Sequence, residues 1–205
     1  MSGNYIPFKE LCRNHDSVSL YIKEWLFEKF GYHSINFGYH DIIPDSERIW
    51  RNRNDELCNE MRGMNDFTAI KHNETFHWEV KTNGEKWNNA AIEASPLALH
   101  MRNYLEKGKK CVYFYFDLKN EIKKYFWVNE SLLPFLDSTI LLPKEQRYSN
   151  ETKQNKLDMI GKYLKVYNTR ELLQLTSTRS GDEFVRILYN NVLKLDDFDN
   201  FIPPY

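Results

Sequence analysis

The chain has 205 residues, 41% of them hydrophobic and 28% charged, with a formal net charge of −1; this describes an ordinary globular protein and excludes wholesale disorder. Near-neutral charge argues against tight non-specific coating of DNA and leaves only a local basic surface for a polyanion. Cys12, Cys58 and Cys111 are odd in number, widely spaced and free of Cys-x-x-Cys pairing, so neither a disulfide framework nor a zinc site is indicated.

A reducing cytoplasm is the default location. The N-terminus lacks a charged-then-apolar signal pattern, and no apolar run approaches the roughly 18 residues of a membrane span, so no membrane association is expected. In chain order, residues 16–30 read as an amphipathic helix. Asp16 or Ser17 can cap it, Val18, Tyr21, Ile22, Trp25 and Leu26 repeat at helical spacing, and Gly31 can end it. Glu24 and Glu28 fall away from that stripe, as a solvated face or as extra acidic ligands. Residues 31–43 alternate loosely and suggest a strand that Pro44 stops. Residues 45–64 are polar and carry Arg48, Arg51, Arg53 and Arg62, suited either to solvent or to phosphates.

Residues 65–81, NDFTAIKHNETFHWEVK, read as two strands joined by a polar turn. Period-2 geometry puts Phe76, Trp78 and Val80 on one face and His77, Glu79 and Lys81 on the other. The hairpin brings Asp66 close to Glu79. Residues 82–93 follow as a polar loop whose Lys86, Trp87, Asn88 and Asn89 stand beside this hairpin. Ser95-Pro96 then starts a helix with a predicted buried stripe of Leu97, Met101, Tyr104 and Leu105, ending at Gly108. Residues 111–117, CVYFYFD, read as a central strand, and residues 122–128 as its hairpin partner across 118–121. Residues 143–156 are a polar connector and the best domain boundary. Beyond it, 157–167, 170–175 and 182–195 look helical, the last through Phe184, Ile187, Leu188, Val192 and Leu195. The tail DDFDNFIPPY looks extended.

The order helix, strand, Asp-bearing strand, Glu-x-Lys strand, helix, strand resembles the common core of the PD-(D/E)XK nuclease superfamily. Asn65-Asp66 stands at the place of "PD" and Glu79-Val80-Lys81 at the place of "(D/E)-x-K", with Asn65 replacing the customary proline. The resemblance covers residues 16–128. It implies an α/β fold: a restriction-endonuclease-like core with a mixed central β-sheet flanked by helices, over residues 1–142. A mainly helical extension, 143–205, would pack on that core or form a single domain with it. The resemblance also implies Asp66 and Glu79 as ligands to Mg²⁺ or Mn²⁺, the backbone carbonyl of Val80 as a further ligand, and Lys81 as the residue that orients or deprotonates the attacking water. Glu24, Glu28 or His15 is the open choice for a ligand from the first helix.

Other candidates compete for these roles. Pro44-Asp45 is a literal "PD" but precedes a polar, helix-like stretch. His100-x-x-x-Tyr104 sits where some exonuclease-like members carry Gln-x-x-x-Tyr, while Tyr104 also belongs to a predicted core stripe. His15-Asp16 resembles the histidine that cap-snatching endonucleases use as a metal ligand, and equally fits a helix start. The expected activity is metal-dependent cleavage of double-stranded DNA, of restriction type, leaving 5′-phosphates, by a homodimer with one site per strand. Arg62, Lys86, Trp87, Asn88 and Asn89 are the expected DNA contacts. An RNA endonuclease, a junction resolvase and a non-catalytic nucleic-acid-binding protein that keeps the fold are the alternatives.

Overall fold

The computed structural model describes residues 8–37, 64–83, 89–129, 131–132, 136–143, 176–178 and 184–205. The fold is α/β, with a mixed six-stranded sheet flanked by helices.

Helix α1 (Phe8–Phe30) is longer than its apolar stripe suggests. It begins about two turns upstream of Asp16 and Ser17, which therefore do not cap it, because the preceding residues contain neither proline nor glycine to stop a helix. Its end is as expected: Gly31 adopts φ +74°, and the N–H groups of Gly31 and Tyr32 return to the carbonyls of Phe27 (2.8 Å) and Leu26 (3.1 Å).

Strand β1 (His33–Asn36) is shorter than expected. It pairs antiparallel with β2 (Phe67–Lys71), which pairs antiparallel with β3 (Glu74–Asn83) through a tight turn in which His72 has φ +52°. The chain continues through β4 (Asn89–Glu93), α2 (Ala94–Lys107) and β5 (Cys111–Asp117), which lies parallel to β3. A parallel neighbour needs a crossover, and α2 provides it. Strand β5 has the expected bounds, is buried along its length, and forms the expected hairpin with β6 (Ile122–Trp127). At that turn the Asp117 carboxylate accepts hydrogen bonds from the backbone N–H of Lys119 and of Asn120, each at 3.1 Å.

The C-terminal third departs most from expectation. Among its described residues, β7 (Leu136–Pro143), β8 (Thr176–Thr178) and β9 (Phe184–Leu188) join β4 in a second sheet of order β4-β9-β7-β8. Helix α3 (Tyr189–Val192) is a single turn, followed by β10 (Asp196–Asp197) and a 3₁₀ turn, Phe198–Asn200. The helical reading of 182–195 is thus corrected to strand for Phe184–Leu188. A five-residue apolar run fits either period, and pairing with β4 and β7 decides for strand. Strand β7 spans 142/143, and β10 lies in the six-stranded sheet beside β6, so the described C-terminal residues contribute strands to both sheets. Residues 157–167 and 170–175 lie outside the described residues.

The core fills one face of the six-stranded sheet, ordered β1-β2-β3-β5-β6-β10. Phe76, Trp78 and Val80 are buried there as the alternation predicts, together with Phe67, Ala69, Val112, Phe114 and Phe116, under Val18, Ile22 and Leu26 of α1. Phe198 and Phe201 complete it. Trp25 lies 4.1 Å from Phe198 between ring centroids, and Phe201 packs against Phe76, Phe114, Tyr125 and Trp127. The tail is tied down further along, where Lys110 donates to the Pro204 carbonyl (2.7 Å) and the Tyr205 hydroxyl donates to the Thr75 carbonyl (2.7 Å).

Candidate functional site

The opposite face of the same strands carries the ionisable residues. The register pairs Phe67 with Trp78, so Asp66, one residue before β2, lies across from Glu79. Beyond that pair β3 runs on through Glu79 to Asn83, where among the described residues only β5 pairs with it.

Asp66 and Glu79 meet as the hairpin predicts. The Asp66 N–H donates to Glu79 Oε1 at 3.0 Å, and the Asp66 carbonyl accepts from the Phe37 N–H at 2.8 Å. Lys81 Nζ lies 3.7 Å from Glu79 Oε2. From the first helix it is His15 that arrives, with Nε2 3.9 Å from Asp66 Oδ2. Glu24 and Glu28 are exposed; each lies about half a helical circuit from His15 at roughly 100° per residue, so the helix turns them away.

Glu79 is only 4% exposed. Burial pushes its carboxyl well above the usual range, the adjoining Asp66 charge pushes the same way, and the Lys81 ammonium partly offsets both. Glu79 is buried and Asp66 half-buried, so these adjoining carboxyl groups favour sharing a proton or a cation. Cys111 lies beside this pair on β5, 3% exposed, with its thiol pushed well up by burial and by the Glu79 charge. His77, on the same face, is lowered by burial and by the Lys109 charge, and its Nδ1 lies 3.0 Å from Thr68 Oγ1.

The donor set decides what the site can hold. Among the described residues no group of three or more His, Cys, Asp and Glu side chains is gathered to cage an ion. Zinc usually needs such a set. The two hard carboxylates fit Mg²⁺, which dehydrates reluctantly and is usually held by one or two carboxylates with waters and substrate phosphate completing the shell. Mn²⁺ accepts the same oxygen donors.

Beneath the pair lies a polar chain that periodicity did not reveal. Asn65 Nδ2 donates to Cys111 Sγ at 2.9 Å. Cys111 Sγ is 3.7 Å from His100 Nδ1, and the same nitrogen is 2.8 Å from the Tyr113 hydroxyl. The Tyr113 ring lies 6.0 Å from Lys81 Nζ. Cys111 and Tyr113 alternate with core residues inside a continuous apolar run, so hydropathy gave no sign of them. The α2 stripe is corrected in consequence: His100 is buried, Tyr104 is half-buried and Leu105 is 43% exposed, because the helix turns His100 toward Tyr113.

Arg62, Lys86, Trp87 and Asn88 lie outside the described residues, as do Asp45 and the arginines at 48, 51 and 53. Asn89 opens β4, its side chain also outside them. No described helix is long and apolar enough to cross a membrane. No protein-family model matches the chain, and no curated protein matches its sequence.

Proposed function

We propose that the protein is a divalent-metal-dependent endonuclease that hydrolyses phosphodiester bonds in DNA and leaves 5′-phosphate ends. In this reading its core is restriction-endonuclease-like, of the PD-(D/E)XK superfamily. The observation that carries the proposal is the meeting of Asp66, Glu79 and Lys81 on one sheet face, with Glu79 hydrogen-bonded by Asp66 and 3.7 Å from the lysine. The element order supports it: apart from β4, which is inserted between β3 and α2, the elements α1, β1, the Asp-preceded β2, the Glu-x-Lys strand β3, α2 and β5 follow in the sequence of that common core.

Asp66 and Glu79 would hold the ion, with the Val80 carbonyl, between Glu79 and Lys81 on β3, as a further donor. Bound Mg²⁺ or Mn²⁺ supplies charge neutralisation at the scissile phosphate and acidifies a water. Lys81, on the same face as Glu79, orients the attacking water, takes or shares its proton, and offsets charge building on the phosphate oxygens. Arginine cannot replace it as a base. Duplex DNA requires two cuts, which a homodimer with one site per strand provides.

His15 favours a second reading. An imidazole beside Asp66 adds a nitrogen donor of the kind found in the RNA-cleaving, cap-snatching type. Incubation with plasmid DNA, single-stranded DNA, RNA and a four-way junction, with Mg²⁺ or Mn²⁺, separates the substrates. Cleavage of duplex DNA is expected, lost in Asp66→Ala and in Lys81→Ala. Undiminished cleavage by either variant would refute the site assignment, and preference for RNA would select the second reading.

A further inference from the structure

Asp66 precedes its strand, and its backbone meets Glu79 Oε1 through the N–H and the Phe37 N–H through the carbonyl. It sits in a bend before β2, outside the ladder with β3, so its carboxylate is placed by whatever fixes that bend. Strict alternation would put Asn65 on the apolar face with Phe67, opposite Asp66. Its side chain instead reaches the site face, passing over β3 to meet Cys111 of β5, since the sheet order is β2-β3-β5. Neighbouring strands lie roughly 4.8 Å apart, so this contact ties the bend to a strand two places away. Asn65 is buried, and so is Cys111. The thiol is held in turn by its own strand and by the nearby His100 of α2.

We infer that Asn65 and Cys111 are a positioning pair: their hydrogen bond holds the bend that sets the Asp66 carboxylate against Glu79. A proline here would restrict the bend through its ring; asparagine does so through a side-chain contact. The inference rests on the metal-site reading above, and neither residue touches substrate or ion.

The test is Mn²⁺ affinity of the full chain, measured by titration calorimetry and by electron paramagnetic resonance of free Mn²⁺. Asn65→Leu and Cys111→Val are each expected to weaken binding about 10-fold or more, the usual scale for groups that orient a ligand. Cys111→Ser, which keeps an acceptor, is expected to bind more tightly than Cys111→Val. The double variant should bind no worse than the weaker single one, because both substitutions remove the same contact. A merely structural pair would lower the melting temperature and leave Mn²⁺ affinity unchanged in the folded protein, and that result overturns the inference. Should Asn65→Leu fail to fold, the contrast between Cys111→Ser and Cys111→Val decides alone. Parent protein whose Mn²⁺ binding is indifferent to Glu79→Gln would overturn the metal site as well; tight binding in Asn65→Leu and Cys111→Val alone overturns only the pair.

Discussion

The two faces of the six-stranded sheet are built from alternate residues of the same strands, yet they follow opposite rules. Under α1 the face is apolar and dense with aromatic rings, and it is closed by Phe198 and Phe201. On the other face Glu79, Cys111 and His100 are as deeply buried as the core, and they carry ionisable groups. Burying a carboxyl group costs free energy unless a partner or an ion compensates it. The apolar face therefore accounts for stability, while the polar face needs another reason to exist, which the cation of the proposed function would supply. A one-residue slip of β3 would exchange the two sets, so the register seen at Phe67 and Trp78 fixes core and site together.

Breaking the apolar face should have the largest effect on folding. Phe201→Ala, which empties a site 2% exposed among several rings, is expected to cost about 3–5 kcal/mol in denaturant titration; a loss below about 1 kcal/mol would mean the tail is dispensable. On the polar face, Lys81→Arg should lower cleavage by roughly 10²-fold or more with little change in melting temperature. Equal activity would remove the lysine from proton handling.

Glu79 makes the contrast depend on pH. Its folded carboxyl is raised above the ordinary glutamate value of 4.5, so the folded state binds more protons than the unfolded state above that value. Its stabilising contribution is complete below the ordinary value and is lost as pH rises through the raised one. Metal-free protein should therefore lose stability as pH rises from about 4.5, the loss should vanish in Glu79→Gln, and Mg²⁺ or Mn²⁺ should restore stability to the parent alone. Thermal melts across pH, with and without the ion, read this; a pH profile identical in parent and variant would remove Glu79 as its source.

The smallest effect should be blind to the faces. Gly31 and Gly108 end α1 and α2 with φ of +74° and +64°, and an added Cβ meets nothing closer than 3.8 Å at the first and nothing within 4 Å at the second. Alanine at either should cost about 1–2 kcal/mol from backbone conformation alone. Markedly unequal costs would point to a packing role that geometry does not show.

Much of the site was legible because local signals agreed. The alternation in FHWEVK, the polar turn at 72–75 and the short strand before it sufficed to bring Asp66 to Glu79. Residues 111–117 could be read to their ends because charged residues bound a run too short for a helix. The choice of His15 over Glu24 and Glu28 was not legible, since it depends on which side of α1 meets the bend at Asp66. Neither was Phe184–Leu188, whose partners β4 and β7 lie far away along the chain, nor the burial of Phe198 and Phe201 in a tail that reads only as extended. Sequence patterns report local period; they do not report which distant segment completes a sheet or a core.

That late completion bears on synthesis. The rings of Phe76 and Phe114 emerge from the ribosome well before Phe198 and Phe201, which pack against them. Until then the nascent chain presents an uncovered aromatic surface, a species open to misassociation. A chain arrested before residue 196 should therefore be digested by added protease far faster than one that has released Phe201, and should be held by chaperones in the interval.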